Sequence, residues 1–201
     1  VFRFNREMEK QADMAALDYL SASGYDPMAP SKIWEQLLGE MDVQAKANKS
    51  GAVAQEASDF FSSHPNTRVR MEYLRAAARR KAPSSDDGAG RYRAAIARWW
   101  PRLIDDQVKL NDFATTEFLL EGLARGNWTA DLLYARGELY RARGKEGDLA
   151  KAEGFYRQSL TKDPALADSW RSLGMLLLRQ GKSVEGRKTL RRYLEAAPAA
   201  N

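Results

Sequence analysis

Glu9 and Asp13 stand four residues apart in "NREMEKQADMAALDYL", residues 5–20. On a helix that spacing sets both carboxylates on one face, a turn apart. Such a pair can do metal chemistry. A glutamate ligates zinc directly, and an aspartate one turn on accepts the spare N–H of a ligating imidazole and fixes the ring's orientation. Most carboxylate pairs at this spacing are simply solvated helix surface, so the pair alone assigns nothing. Other metal donors are scarce: the chain has one histidine, His64, and no cysteine.

The elements that must position these residues read as helices. Residues 6–22 carry Met8, Ala12, Ala15, Ala16, Tyr19 and Leu20 at three- and four-residue intervals, a helical stripe that stops at Gly24. "APSKIWEQLLGEM" predicts a second helix with Ser31 as its cap, and "NTRVRMEYLRAAARR" a third with Asn66 before it. Between them "GEMDVQAKANKSGAVAQ", residues 39–55, reads as a long loop of the kind that borders functional sites. "KAPSSDDGAG", residues 81–90, reads as a mobile linker, because Pro, Ser, Asp and Gly in that density do not continue a helix. No alternating segment of useful length predicts a strand.

The second half repeats itself. "ADLLYARGELYRARGKEGDLAKAEGFYRQSLTKDP" aligns with "ADSWRSLGMLLLRQGKSVEGRKTLRRYLEAAP", so that Pro164 and Pro198 fall 34 residues apart, the period of a tetratricopeptide repeat. Gly137 pairs with Gly174, Leu133 with Trp170, Gly144 with Gly181, and Tyr156 with Leu190. The small residue in the first helix of each unit lets the second approach, and the large apolar residues fill the seam. About three extra residues sit in the first copy's turn, around "KEGD". Two such units are fewer than the about three usually needed to bury a solenoid's faces. Residues 91–128 are therefore read as a degenerate repeat, with Trp99 and Trp100 packing where it joins the first half. Stacked repeats form a groove lined by first-helix side chains. Here those are Tyr134, Glu138 and Arg141 from one unit and Arg171, Met175 and Arg179 from the next, a set suited to an extended peptide or acidic protein segment. Ordinary solvated residues would look the same in sequence.

Composition narrows the classes. An apolar fraction of 44% with 29% charged residues is that of a globular protein. No apolar run nears the roughly 18 residues of a membrane span. The net charge of +5 comes from the second half: residues 1–90 hold 12 Lys+Arg against 13 Asp+Glu, and residues 91–201 hold 20 against 14. These charges are interspersed, which points to a solvated helical surface and away from nucleic acid.

Taken in order, N-x-x-x-E-x-x-A-D (residues 5–13), "GYDP" (24–27) and S-x-H-P-x-T-x-x-R (62–70) resemble the C-terminal half of the catalytic domain of CAAX-prenyl-protease-like zinc metallopeptidases. The match is nearest to the bacterial periplasmic BepA type, in which tetratricopeptide repeats follow the catalytic domain. The resemblance implies that Glu9 is the third zinc ligand and Asp13 the partner of a ligating histidine. It implies that His64 lies in a loop near the zinc, stabilising the oxyanion or blocking the open position, and that Arg70 is structural or positions substrate. His-Pro ahead of a helix could equally be a turn with the imidazole capping backbone groups. The chain departs from the family in one respect: HExxH, with two histidine ligands and the glutamate base, is absent.

The expectation is therefore an all-α chain: residues 1–80 the C-terminal part of a metallopeptidase domain, 81–90 a linker, 91–128 connecting helices, and 129–201 two repeats. Val1, with no initiator methionine ahead of it, leads to the expectation of a C-terminal fragment of a longer endopeptidase of the cell envelope, or else of a chain that reassembles with a separate HExxH half as its partner. Zinc is then expected in the intact protein and not on this chain alone. The groove would bind protein substrates or clients. The rival expectation is a non-catalytic repeat adaptor.

Overall fold

The computed structural model describes residues 2–47 and 66–197. Among them every regular element is helical, and no helix is long and apolar enough to cross a membrane. The chain divides into two compact units, residues 1–97 and 98–201.

The first unit holds α1 (Phe2–Ala22), α2 (Ala29–Ala47), α3 (Thr67–Ala78) and α4 (Ala89–Ile96). In its core, among the described residues, Leu17 of α1 meets Leu74, Ala77 and Ala78 of α3, with Met14, Met28, Trp34 and Tyr73 around them. The stripe expected on α1 is not the one that is buried, since Met8 and Tyr19 face outward while Leu17 is fully enclosed. Alanines dominate that count but fill little space. The large side chains of Met14 and Leu17 orient the helix instead, and they carry the half-buried Asp13 inward with them.

Two further local expectations change. Residues 39–47 are not loop, because α2 runs through to Ala47. Gly39 costs a helix only about 1 kcal/mol, the Gln36–Glu40 side-chain hydrogen bond spans it, and "DVQAKA" is adequate helix. The rest of the expected loop lies outside the described residues. Ser31 is buried within the first turn of α2, its hydroxyl donating to the Met28 carbonyl (2.9 Å). Capping falls to Asp26, whose carboxylate accepts the Met28 N–H (2.8 Å) and pairs with Lys32 (2.7 Å). Asn66 caps α3 as expected, accepting the Arg68 N–H.

Residues 81–88 are irregular, yet they are tied to the first unit. The Ser84 hydroxyl donates to the Gly24 carbonyl (2.7 Å), and the Asp26 N–H to the Asp86 carbonyl (2.8 Å). Asp86 and Asp87 then accept the N–H groups of Gly88 and Ala89. These are local Asx turns that replace helix hydrogen bonds. The division between units comes later, after Ala97.

The second unit is three helical hairpins: α5 (Trp100–Lys109) with α6 (Phe113–Ala124), α7 (Ala130–Arg143) with α8 (Asp148–Lys162), and α9 (Ala167–Arg179) with α10 (Ser183–Ala196). Two seams hold it. Ile104, Leu120 and Ala124 pack on Leu132, Ala135 and Leu139; Ala152, Tyr156 and Leu160 pack on Leu173, Leu176 and Leu177. Trp100 lies against the first seam and donates its indole N–H to Asp131, whereas Trp99 is half exposed, with the Arg98 guanidinium 4.9 Å from its ring. The tryptophan pair thus divides its work, and Trp100 packs within the second unit.

The last two hairpins close by the same contact. A Cβ on Gly137 would lie 2.4 Å from Tyr156 Cε1, and one on Gly174 would lie 2.7 Å from Leu190 Cδ2. Gly144 and Gly181 end α7 and α9 with φ of 62° and 78°, a left-handed conformation other residues adopt at a cost. The buried Ser159 hydroxyl bonds both the Ala130 carbonyl (2.7 Å) and Ser169 Oγ (2.8 Å), joining α7, α8 and α9. In the longer turn after Gly144, Asp148 accepts Arg143 through both oxygens (2.8 and 2.7 Å) and the Lys145 N–H (2.9 Å).

Two predictions follow from this packing. Gly137→Ala must displace Tyr156, which has no room to move, and should destabilise the protein by about 3 kcal/mol. Gly154→Ala, mid-helix with nothing within 4 Å of the added methyl, should stabilise it by about 0.5–1 kcal/mol. Urea unfolding measures both. The Arg143 guanidinium, followed by the Lys145 N–H, holds the Asp148 carboxyl at about 2, below its ordinary 3.8. A depressed carboxyl contributes stability above its unfolded value and loses it as pH falls. Melting temperature should therefore drop between about pH 4 and pH 2, and the drop should be shallower in Asp148→Asn.

Candidate functional site

The residues singled out in the first half meet through Arg70. Asn66 starts α3 so that Arg70, one turn in, faces α1. Its guanidinium grips Asp13 with two prongs, Nε to Oδ2 at 2.9 Å and Nη2 to Oδ1 at 2.6 Å. The third nitrogen, Nη1, reaches Glu9 Oε2 at 3.0 Å. All three side chains are largely withdrawn from water: Arg70 is 17% exposed, Asp13 14% and Glu9 25%.

Two further residues complete the cluster. The Trp34 ring of α2 lies 4.1 Å from the centre of the Arg70 guanidinium, a stacking distance for a cation on an aromatic face. The Tyr73 hydroxyl donates to Asp13 Oδ2. Burial, reinforced by Asp13, pushes the Tyr73 phenol well above its ordinary value, so it stays a protonated donor. Bonds to Asp13 outweigh burial and raise Arg70 further. Sequence reasoning missed both aromatic residues. Tyr73 carried a signal, since it follows Arg70 by three on the same helix face; Trp34 carried none, because only the packing of α2 brings it there.

The cluster can hold a cation of fixed shape, and it holds Arg70. Asp13, expected to receive an imidazole N–H, here accepts Arg70 and Tyr73. Glu9 is turned inward and shares the same guanidinium. Among the described residues no group of three or more His, Asp or Glu is placed to hold a metal ion. The pair fits one donor and its orienting neighbour, not a coordination set. His64 lies outside the described residues.

In the second unit Tyr134, Glu138 and Arg141 of α7 and Arg171, Met175 and Arg179 of α9 line one cavity of about 370 Å³. Burial works against ionised Glu138, but hydrogen bonds from Arg141 and from the Tyr156 hydroxyl (2.6 Å) outweigh it and hold the carboxyl below its usual range. Glu138 is therefore an anion with its partners built in. Burial, then the Glu138 charge, raises the Tyr134 phenol, which stays neutral.

Residues 1–78, the stretch containing Glu9, Asp13, His64 and Arg70, match the model of peptidase family M48. No curated protein and no solved structure matches the chain. The first 78 residues are thus a metallopeptidase-like region of the M48 kind.

Arg70→Met would take the guanidinium away from Glu9 and from half-buried Asp13, to which it makes two hydrogen bonds. Fully buried pairs lose about 3–5 kcal/mol when broken. Residual exposure here reduces the expected loss to about 2 kcal/mol. Arg70→Lys, which keeps the charge but not the fork, should fall between that variant and the unsubstituted protein in urea unfolding.

Proposed function

We propose that this chain carries the C-terminal part of a zinc-dependent metalloendopeptidase domain, joined to a tetratricopeptide array that holds polypeptide substrates or clients. The observation that carries this reading is the meeting of Glu9, Asp13 and Arg70 within the stretch that matches peptidase family M48. Glu9 would be the ligand, and Asp13 would orient an imidazole beside it. Arg70 would tether α1 to α3, so that neither carboxylate turns into water. The two imidazoles and the general base of an HExxH helix would come from a segment this sequence does not contain, because its one histidine, His64, stands outside any such motif. The array reading rests on the 34-residue spacing and on the equivalent contacts of Gly137 with Tyr156 and Gly174 with Leu190. Placement in the cell envelope belongs to the same proposal and rests on the family resemblance.

One observation favours a second reading. Arg70 already engages both carboxylates, as a scaffold that had given up its metal would require. In that case the chain is a non-catalytic adaptor.

Zinc content and casein cleavage, measured on the polypeptide that includes the HExxH segment, separate the two. Glu9→Gln is expected to weaken zinc affinity by about 100-fold and to lower cleavage with it, while far-UV circular dichroism is unchanged. Equal zinc and equal cleavage in both proteins would remove Glu9 from the ligand set. Absence of zinc and of cleavage in the unsubstituted protein would establish the adaptor.

A further inference from the structure

We propose that the cavity between α7 and α9 seats an acidic side chain of a bound polypeptide, with Arg171 and Arg179 gripping its carboxylate and Met175 contacting an apolar neighbour. This rests on the reading that the groove takes polypeptide, and it names the chemistry selected there.

The argument starts from spacing. Arg171, Met175 and Arg179 follow one another at intervals of four, so α9 presents them in a line, cation–apolar–cation, along one face. Met175 is 53% exposed, a large apolar side chain left in water between two arginines.

Charge decides the occupant. Arg141 is committed to Glu138, whose side chain is 13% exposed and also bound by Tyr156. Asp105, on the α5 side of the cavity, has Lys109 at 2.5 Å. Arg171 has Asp168 at 3.0 Å, but both are about half exposed, and an ion pair of that kind contributes little and exchanges readily. Arg179 has no acidic partner among the described residues. The acids of this wall are already matched, while two arginines at its mouth retain positive charge. A carboxylate accepts the guanidinium fork with two parallel hydrogen bonds.

The same inventory limits the ligand. Glu138 and Asp105 also border the cavity, each already paired with a cation, so Arg171 and Arg179 are left to meet an anion, enough for one carboxylate and too few for a polyanion such as nucleic acid or a phosphorylated segment. About 370 Å³ holds a residue or two, not a folded partner. A single carboxylate beside an aliphatic side chain satisfies both limits.

The test uses fluorescence anisotropy with the 201-residue chain and a pool of labelled dodecapeptides. Each has Leu-Glu-Leu at its centre, flanks randomised among Ser, Gly, Ala and Thr, and an amidated C-terminus that excludes the terminal carboxylate as the anion. The same pool with Gln for Glu is the comparison. The Glu pool is expected to bind about tenfold tighter than the Gln pool, with the advantage lost in 0.5 M salt, on the order of a 4 Å screening length. Arg179→Gln should bring the Glu pool to the level of the Gln pool, and Arg187→Gln, on α10, should not. Equal binding of the two pools overturns the selection for an acid and leaves a peptide groove. An unchanged Glu advantage in Arg179→Gln overturns the assigned residues. Binding of neither pool overturns both the selection and the groove.

Discussion

Two carboxylates that lean inward from one helix face need a cation of the right shape, and the first unit is arranged around supplying it. Arg70 offers three nitrogens in one plane, and all three are used: two on Asp13 and one on Glu9. The plane itself rests on Trp34. The guanidinium is therefore a cross-brace among α1, α2 and α3, beside a core in which, among the described residues, Leu17, Leu74, Ala77 and Ala78 are buried. The carboxylates that the sequence singled out are among the groups that tie these helices together.

The second unit depends on a steric constraint. Helices α7 and α8 approach until Tyr156 occupies the space a side chain at position 137 would need, and α9 and α10 do the same around Gly174. That closeness places the Tyr156 hydroxyl against Glu138 and so builds an anion, with its donors, into one wall of the cavity. Arg141 belongs to the same group. Of the charged residues around the cavity, Glu138 and Arg141 are part of that framework, whereas Arg171 pairs with the exposed Asp168 and Arg179 has no acidic partner among the described residues.

Much of this was legible in the sequence because it depends on short-range rules. The third helix and its Asn66 cap, the left-handed stops at Gly144 and Gly181, and the matching of Gly137 and Tyr156 with Gly174 and Leu190 all follow from local chemistry or from a repeat compared with itself. Six of the nine residues that line the cavity followed from counting along the repeats. Three features did not. The buried stripe of α1 depends on which large side chains find partners on α3, and a count of alanines cannot weigh that. The continuation of α2 past Gly39 depends on one glycine being cheap in an otherwise helical run. Residues 81–88 looked unattached because their anchors, Gly24 and Asp26, lie some sixty positions away.

The sequence by itself determined that the chain is helical, that its second half is built from related hairpins, and that Glu9 and Asp13 share a face, since all three are consequences of spacing along one strand of polypeptide. Tertiary structure alone decided what those carboxylates face. Arg70 is 57 residues from Asp13 in the chain and Trp34 is 36 from Arg70, and no periodicity links them. Their meeting is an outcome of packing: three helices with few large apolar residues close where a planar cation can satisfy two anions and lie flat against an indole.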